Sequence, residues 1–345
     1  MPTSATSSTR ILSVHYLRAV AALMVVLYHV YSYHLSIADH GRSVLWLKEG
    51  VAIFFAISGF VMVSSTGRTE IGPAQFLWKR AKRIIPLYWL TTLCVVVGNL
   101  PEWRHIIASL FFIPLTNPQT GMIDPPLVDV GWTLNFEMAF YLLFAISMLL
   151  PRRVSFWTLT GGLVALSASG LVFDYRPSFI AYYGQSFLLD FVAGLLIAHF
   201  RIRLSAYFLP IGFLLLALMP QVTEIRLLSA TLPAASILAS ALSLDRKLPR
   251  WGWLTLLGDS SYAIYLSHLF VVIGFLSLWG VDHGGTLVAL TTLLISALVG
   301  ILMHRQVELP LKALIESAES RLRPIIAKHA RPAECRAIPA AQGEG

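Results

Sequence analysis

Arg18 and His29 are the residues in this chain best placed by type and spacing to do chemistry. Both lie inside the apolar stretch Val14 to His34, which reads VHYLRAVAALMVVLYHVYSYH. Eleven positions separate them, close to three turns of an α-helix, so they share a face roughly 16 Å apart along the axis. An ionisable side chain in hydrocarbon is costly, and by default it marks a functional site. An imidazole can act as a base or nucleophile, and a guanidinium can hold an anion. Four further groups have the same character. Glu137, in GWTLNFEMAFY, lies about two turns inside an apolar segment at the level expected for His29, and a buried carboxylate needs a partner. His29 is one candidate, with a structural indole N–H bond as the plainer alternative. Tyr262, Tyr265 and His268 place three polar tips on one helix face. Ser58-Gly59, in FFAISGF, lets a second helix or a ligand approach closely. Arg80 and Arg83, in the basic run Lys79 to Arg83, share a face if that run is helical; they could clamp phosphate, or only orient the chain and attract anionic lipid. Asp190 is expected to pair with Arg18 or another cation, and Glu308 to mark a helix end.

These residues must be positioned by apolar segments. The chain has 345 residues, 56% of them hydrophobic and only 13% charged, with mean hydropathy +0.70. About a quarter of the residues in a soluble domain are charged, so this composition belongs to an integral membrane protein. The net charge of +8 sits in short clusters between apolar stretches, which argues against a nucleic-acid partner. Two cysteines, Cys94 and Cys335, offer neither a metal-ligand spacing nor a disulfide framework.

The spacing predicts an all-α protein with about ten transmembrane helices, near 12–34, 46–65, 84–100, 131–150, 154–173, 180–199, 204–219, 226–244, 253–279 and 285–304. Lysines and arginines concentrate in the loops after the even-numbered spans. The positive-inside rule therefore puts both termini in the cytoplasm, Arg18 in the inner half of the first span and His29 in the outer half. Residues 1–11 read as a cytoplasmic tail and 311–345 as a cytoplasmic, disordered one.

Six stretches in order resemble the acyltransferase family 3 membrane proteins, in particular their exopolysaccharide O-acetyltransferase branch. They are LRAVAALMVVLYH at 17–29, FFAISGF at 54–60, KRAKRIIPLYW at 79–89, GWTLNFEMAFY at 131–141, SYAIYLSH at 261–268 and VELP at 307–310. The resemblance spans 12–310. It implies transfer of an acyl group, usually acetyl from cytoplasmic acetyl-CoA, to a sugar hydroxyl of an exopolysaccharide or lipid-linked glycan. It also implies the bacterial inner membrane as location, with membrane lipids and polysaccharide-assembly proteins as neighbours, and no metal. The family's Arg–ten residues–His element maps onto Arg18 and His29, its two-arginine element onto Arg80 and Arg83, and its Trp–Glu element onto Trp132 and Glu137. Thr133 stands where serine is common.

The expected chemistry follows. Arg80 and Arg83 would hold the polyanionic end of acyl-CoA, with Ser58 beside the donor. Its arm would run past Arg18, and His29 would serve as base on the acceptor hydroxyl or as a transient acyl acceptor. Tyr265 and Trp132 are candidate oxyanion donors, with His268 supporting. The rival class is a glycan or lipid transporter or flippase, whose spans should be broken at matching positions of two halves; no such pattern is present. A structural subunit of an export complex would leave Arg18, His29 and Glu137 without purpose.

Overall fold

A computed structural model describes residues 11–34, 41–66, 71–117, 119–172, 179–279 and 286–329. These are almost wholly helical. In chain order the helices are α1 Leu12–His34, α2 Gly50–Thr66, α3 Pro73–Asn99, α4 Trp103–Leu110, α5 Trp132–Ser147, α6 Arg152–Val172, α7 Phe179–Tyr183, α8 Leu188–Phe200, α9 Phe208–Val222, α10 Leu232–Leu244, α11 Gly252–Asp259, α12 Ser261–Trp279, α13 Thr286–Met303 and α14 Leu309–His329. A 3-10 segment, Gly41–Glu49, leads into α2, and single π-turns at Leu227–Thr231 and His304–Glu308 precede α10 and α14. One two-stranded antiparallel ribbon, β1 Leu115–Thr116 with β2 Ile123–Asp124, precedes α5.

Helix is the outcome wherever an apolar run must satisfy its own backbone in lipid. Local residues set the ends. Pro73 opens α3 behind Gly72, because a first-turn proline sacrifices no intrahelical bond. Leu100 closes α3 in the left-handed region at φ 47°.

Six of the helices are long and apolar enough to cross a membrane, or seven if α11 and α12 count as one span. The sequence reading expects ten. The ninth expected span is not straight, since α11 and α12 meet at a 72° bend around Ser260. The sixth divides into α7 and α8. Helices α8 and α9 have 13 and 15 residues, so they reach about 20–23 Å against a hydrocarbon core of about 30 Å. The chain also remains helical through His329, where a disordered tail is expected from 311. Leu309, Leu311 and an ion pair to α3 give this last segment something to pack on.

One close crossing, between α2 and α8, fixes the interior. A Cβ on Gly59 of α2 would lie 2.2 Å from the Phe191 carbonyl oxygen of α8, and one on Gly194 would lie 1.9 Å from that of Ala56. The two backbones therefore touch, as small residues allow in membrane helices. Around this crossing, stacked rings of Phe55, Phe140 and Phe191 form the largest apolar core. Asp190, fully buried on α8, bonds Arg226 at 2.7 Å and Thr231 at 2.6 Å, and Arg226 also reaches Glu49 at 2.9 Å. The cation expected for Asp190 is thus Arg226, with Glu49 as a second counter-ion.

Candidate active site

Straight helical geometry over α1 carries Arg18 and His29 on one face, and each meets a different environment. Arg18 lines two adjoining cavities of about 690 and 670 Å³; His29 lines neither.

The larger cavity lies between α1, α2, α3, α5 and α12. Ser58, Arg83, Glu137, Tyr141 and Tyr262 line it together with Arg18. Ser58 donates to Glu137 Oε1 at 3.0 Å, and the Tyr141 hydroxyl donates to the same oxygen. Glu137 and Tyr141 are four residues apart and so share a helix face. The candidate Glu137–His29 pair is therefore not made, and no indole takes its place. Glu137 belongs to the cavity that holds Arg18, and its partners come from α2 and from its own next turn. At its far end the cavity meets Thr133 and Tyr265, whose hydroxyls are 2.8 Å apart; both also reach the Val130 carbonyl oxygen, at 3.0 and 3.1 Å.

Beyond that contact stand the two histidines. Tyr265 and His268 have ring centroids 5.9 Å apart, and those of His268 and His29 are 4.9 Å apart. His29 Nδ1 lies 2.9 Å from the Val25 carbonyl oxygen and 3.2 Å from His268 Nε2, while His268 Nδ1 lies 2.5 Å from the Tyr265 carbonyl oxygen. A carbonyl only accepts, so each Nδ1 carries the proton and donates. His268 Nε2 is then an unprotonated acceptor for His29 Nδ1–H, which leaves the lone pair on His29 Nε2. That nitrogen makes no hydrogen bond among the described residues. The arrangement suits a general base or a nucleophile whose tautomer is fixed from behind.

The two-arginine element divides. The basic run is helical, yet three residues turn the helix through 300°, which splays the side chains by about 60°. Arg83 lines both cavities. Arg80 lines neither; its guanidinium lies 5.4 Å from the Phe76 ring centroid and 5.7 Å from that of Tyr141, and it bonds Ser65 weakly at 3.5 Å. Two aromatic faces hold it apart from the cavities that Arg83 lines. Trp132 lies outside both cavities too, packed 4.9 Å from the Phe187 ring and 6.1 Å from Phe136. Glu308 accepts from His304 at 2.7 Å across the π-turn.

Tyr141 is a site residue that the sequence reading passes over, and Thr133 is one that it names only for standing where serine is common. Tyr141 could have been found from its spacing to Glu137; Thr133 has meaning only once Tyr265 stands beside it.

Comparison with known proteins bears on what this arrangement does. The exopolysaccharide production protein ExoZ of Rhizobium meliloti (strain 1021) is 36% identical over 285 residues, covering 76% of this chain and 88% of the relative. The acyltransferase MdmB of Streptomyces mycarofaciens is 26% identical over 330 residues, with 80% and 82% covered. Nodulation protein 10 of Rhizobium leguminosarum bv. viciae is 29% identical over 337 residues, with 80% and 89% covered. No solved structure matches the chain. The family described as an acyltransferase domain matches residues 11–305, a stretch that holds every residue from Arg18 to His268 placed above; the chain belongs to acyltransferase family 3 and is an acyltransferase.

Proposed function

We propose that the protein moves an acyl group, expected to be acetyl, from a cytoplasmic acyl-CoA to a sugar hydroxyl of an exopolysaccharide or its lipid-linked precursor. The observation that carries this reading is the free Nε2 of His29, three turns along α1 from an arginine that faces a cavity also lined by Arg83 and Glu137. A bacterial inner-membrane protein with both termini in the cytoplasm has the sidedness required. It would present Arg18 to the donor and His29 to the acceptor, with polysaccharide-assembly proteins supplying the glycan.

In this reading the acyl-pantetheine arm lies along the larger cavity, where Glu137 accepts amide protons and Ser58 supports it. His29 Nε2 takes the proton of the acceptor hydroxyl. The hydroxyl oxygen attacks the thioester carbonyl, the C–S bond breaks, and the proton leaves with the CoA thiol. The same nitrogen could first take the acyl group and then pass it on, in two transfers. Of the two oxyanion donors, Tyr265 is the better placed, since its hydroxyl borders the cavity while the Trp132 ring is packed among phenylalanines. The Thr133–Tyr265 contact must part or shift for the acyl carbon to meet His29.

The test is chemical. Surface polysaccharide from a deletion strain is compared after complementation with wild type or with His29→Ala, and base-labile acetate is measured by NMR. Wild type should restore acetate, and His29→Ala should restore none at equal protein level. Full acetate from the His29→Ala strain would remove the imidazole from the mechanism.

A further inference from the structure

The second cavity, of about 670 Å³, is lined by α3 residues from Lys79 to Leu87 and by neither Ser58 nor Glu137. Its size is that of a small-molecule site. Five cations line it: Arg18, Lys79, Lys82, Arg83 and Lys312. Three carboxylates share the wall, Asp259, Glu308 and Glu316; Glu308 is engaged by His304, as Lys82 is by Glu319 of α14, which leaves four cations against two carboxylates. The balance favours an anion with several phosphate oxygens, since lysine and arginine bind such groups through charge-assisted hydrogen bonds. Arg18 and Arg83 line this cavity and the larger one alike, so a single extended ligand can occupy both.

One wall comes from an unexpected source. Leu309, Leu311, Lys312 and Glu316 all belong to α14, a mostly polar helix after the last apolar span. Lys82 of α3 bonds Glu319 of α14 at 2.5 Å and so holds that helix against the cavity. The π-turn His304–Glu308 joins α13 to α14, and such turns recur at functional sites.

We propose that this cavity binds the phosphorylated nucleotide end of the acyl-CoA donor and that α14 completes it, with Lys312 as a donor-binding residue. The proposal rests on the acyl-CoA reading above. It assigns the C-terminal helix a part in donor affinity that Arg80, turned into an aromatic cluster, does not play. The larger cavity is then left for the pantetheine arm.

Binding of CoA to the purified full-length protein in phosphatidylcholine nanodiscs tests it by titration. Lys312→Gln should weaken CoA binding about tenfold, the loss of one hydrogen bond to a charged group. Lys312→Arg should retain most of the affinity. Arg321→Gln, the same charge change at an exposed α14 position outside the cavity, should bind as wild type does. If Lys312→Gln binds CoA as tightly as wild type, or Arg321→Gln is weakened equally, the proposal fails while the acyl-CoA reading stands. If wild type itself does not bind CoA, the acyl-CoA reading falls and this proposal with it.

Discussion

The His29 ring is held from one side by two acceptors. Its Nδ1–H points at the Val25 carbonyl and at His268 Nε2, and His268, fully buried, is anchored in turn by the Tyr265 carbonyl. In the proposed mechanism the second histidine would therefore position the first. His268→Leu removes the acceptor, whereas His268→Gln can restore one through its amide oxygen. We expect His268→Leu to lower acyl transfer by about tenfold or more, with His268→Gln recovering much of the loss. CoA affinity should be unchanged in both, so transfer rate and CoA titration together check the prediction. Residue types in this site were legible from sequence, because arginine, histidine and glutamate in apolar runs have few reasons to be there. Their pairings were not. Glu137 and His29 appear to be at one level when residues are counted along separate spans, but the partners depend on how helices rotate about their axes. The same rotation separates Arg80 from Arg83.

Helices α2 and α8 carry the site's alignment. Their backbones meet at Gly59 and Gly194, and Ser58, next to that contact, is aimed at Glu137. A methyl group at Gly194 would collide with a carbonyl oxygen of the opposing helix, which cannot rotate away as a side chain would. Gly194→Ala should therefore abolish most of the folded, monodisperse protein recovered in detergent. Gly161→Ala in α6, whose Cβ would meet nothing within 4 Å, should behave as wild type. Size-exclusion chromatography of tagged variants reads the difference. The close approach was foreseeable from Ser58-Gly59, though not which helix would use it. Breaks in helices were harder to see. Hydropathy does not register the bend at Ser260 or the π-turns, since a bent apolar helix and a straight one have the same composition. The helical α14 was missed for the converse reason: its stability comes from contacts such as Lys82–Glu319, which charge composition alone reads as polar tail.

Across the molecule, the cavities and the histidine pair divide the chemistry into two regions joined by α1. Both cavities reach Arg18 and Arg83; His29 lies past the Thr133–Tyr265 contact. A donor from one compartment and an acceptor from the other would meet near that contact. The membership in acyltransferase family 3 was legible from six motifs in order, because those motifs carry the site itself. The number of crossings was less so, because apolar helices of 13 and 15 residues satisfy a hydropathy count without the length to span. Sidedness is the claim on which the whole account turns. Labelled acetyl-CoA can be supplied to the cytoplasmic face in inside-out vesicles, or to the opposite face in right-side-out vesicles, with endogenous glycan as acceptor. Label should enter the glycan only from the cytoplasmic face, and His29→Ala should transfer none. Equal labelling from either face, or wild-type labelling by His29→Ala, would contradict it.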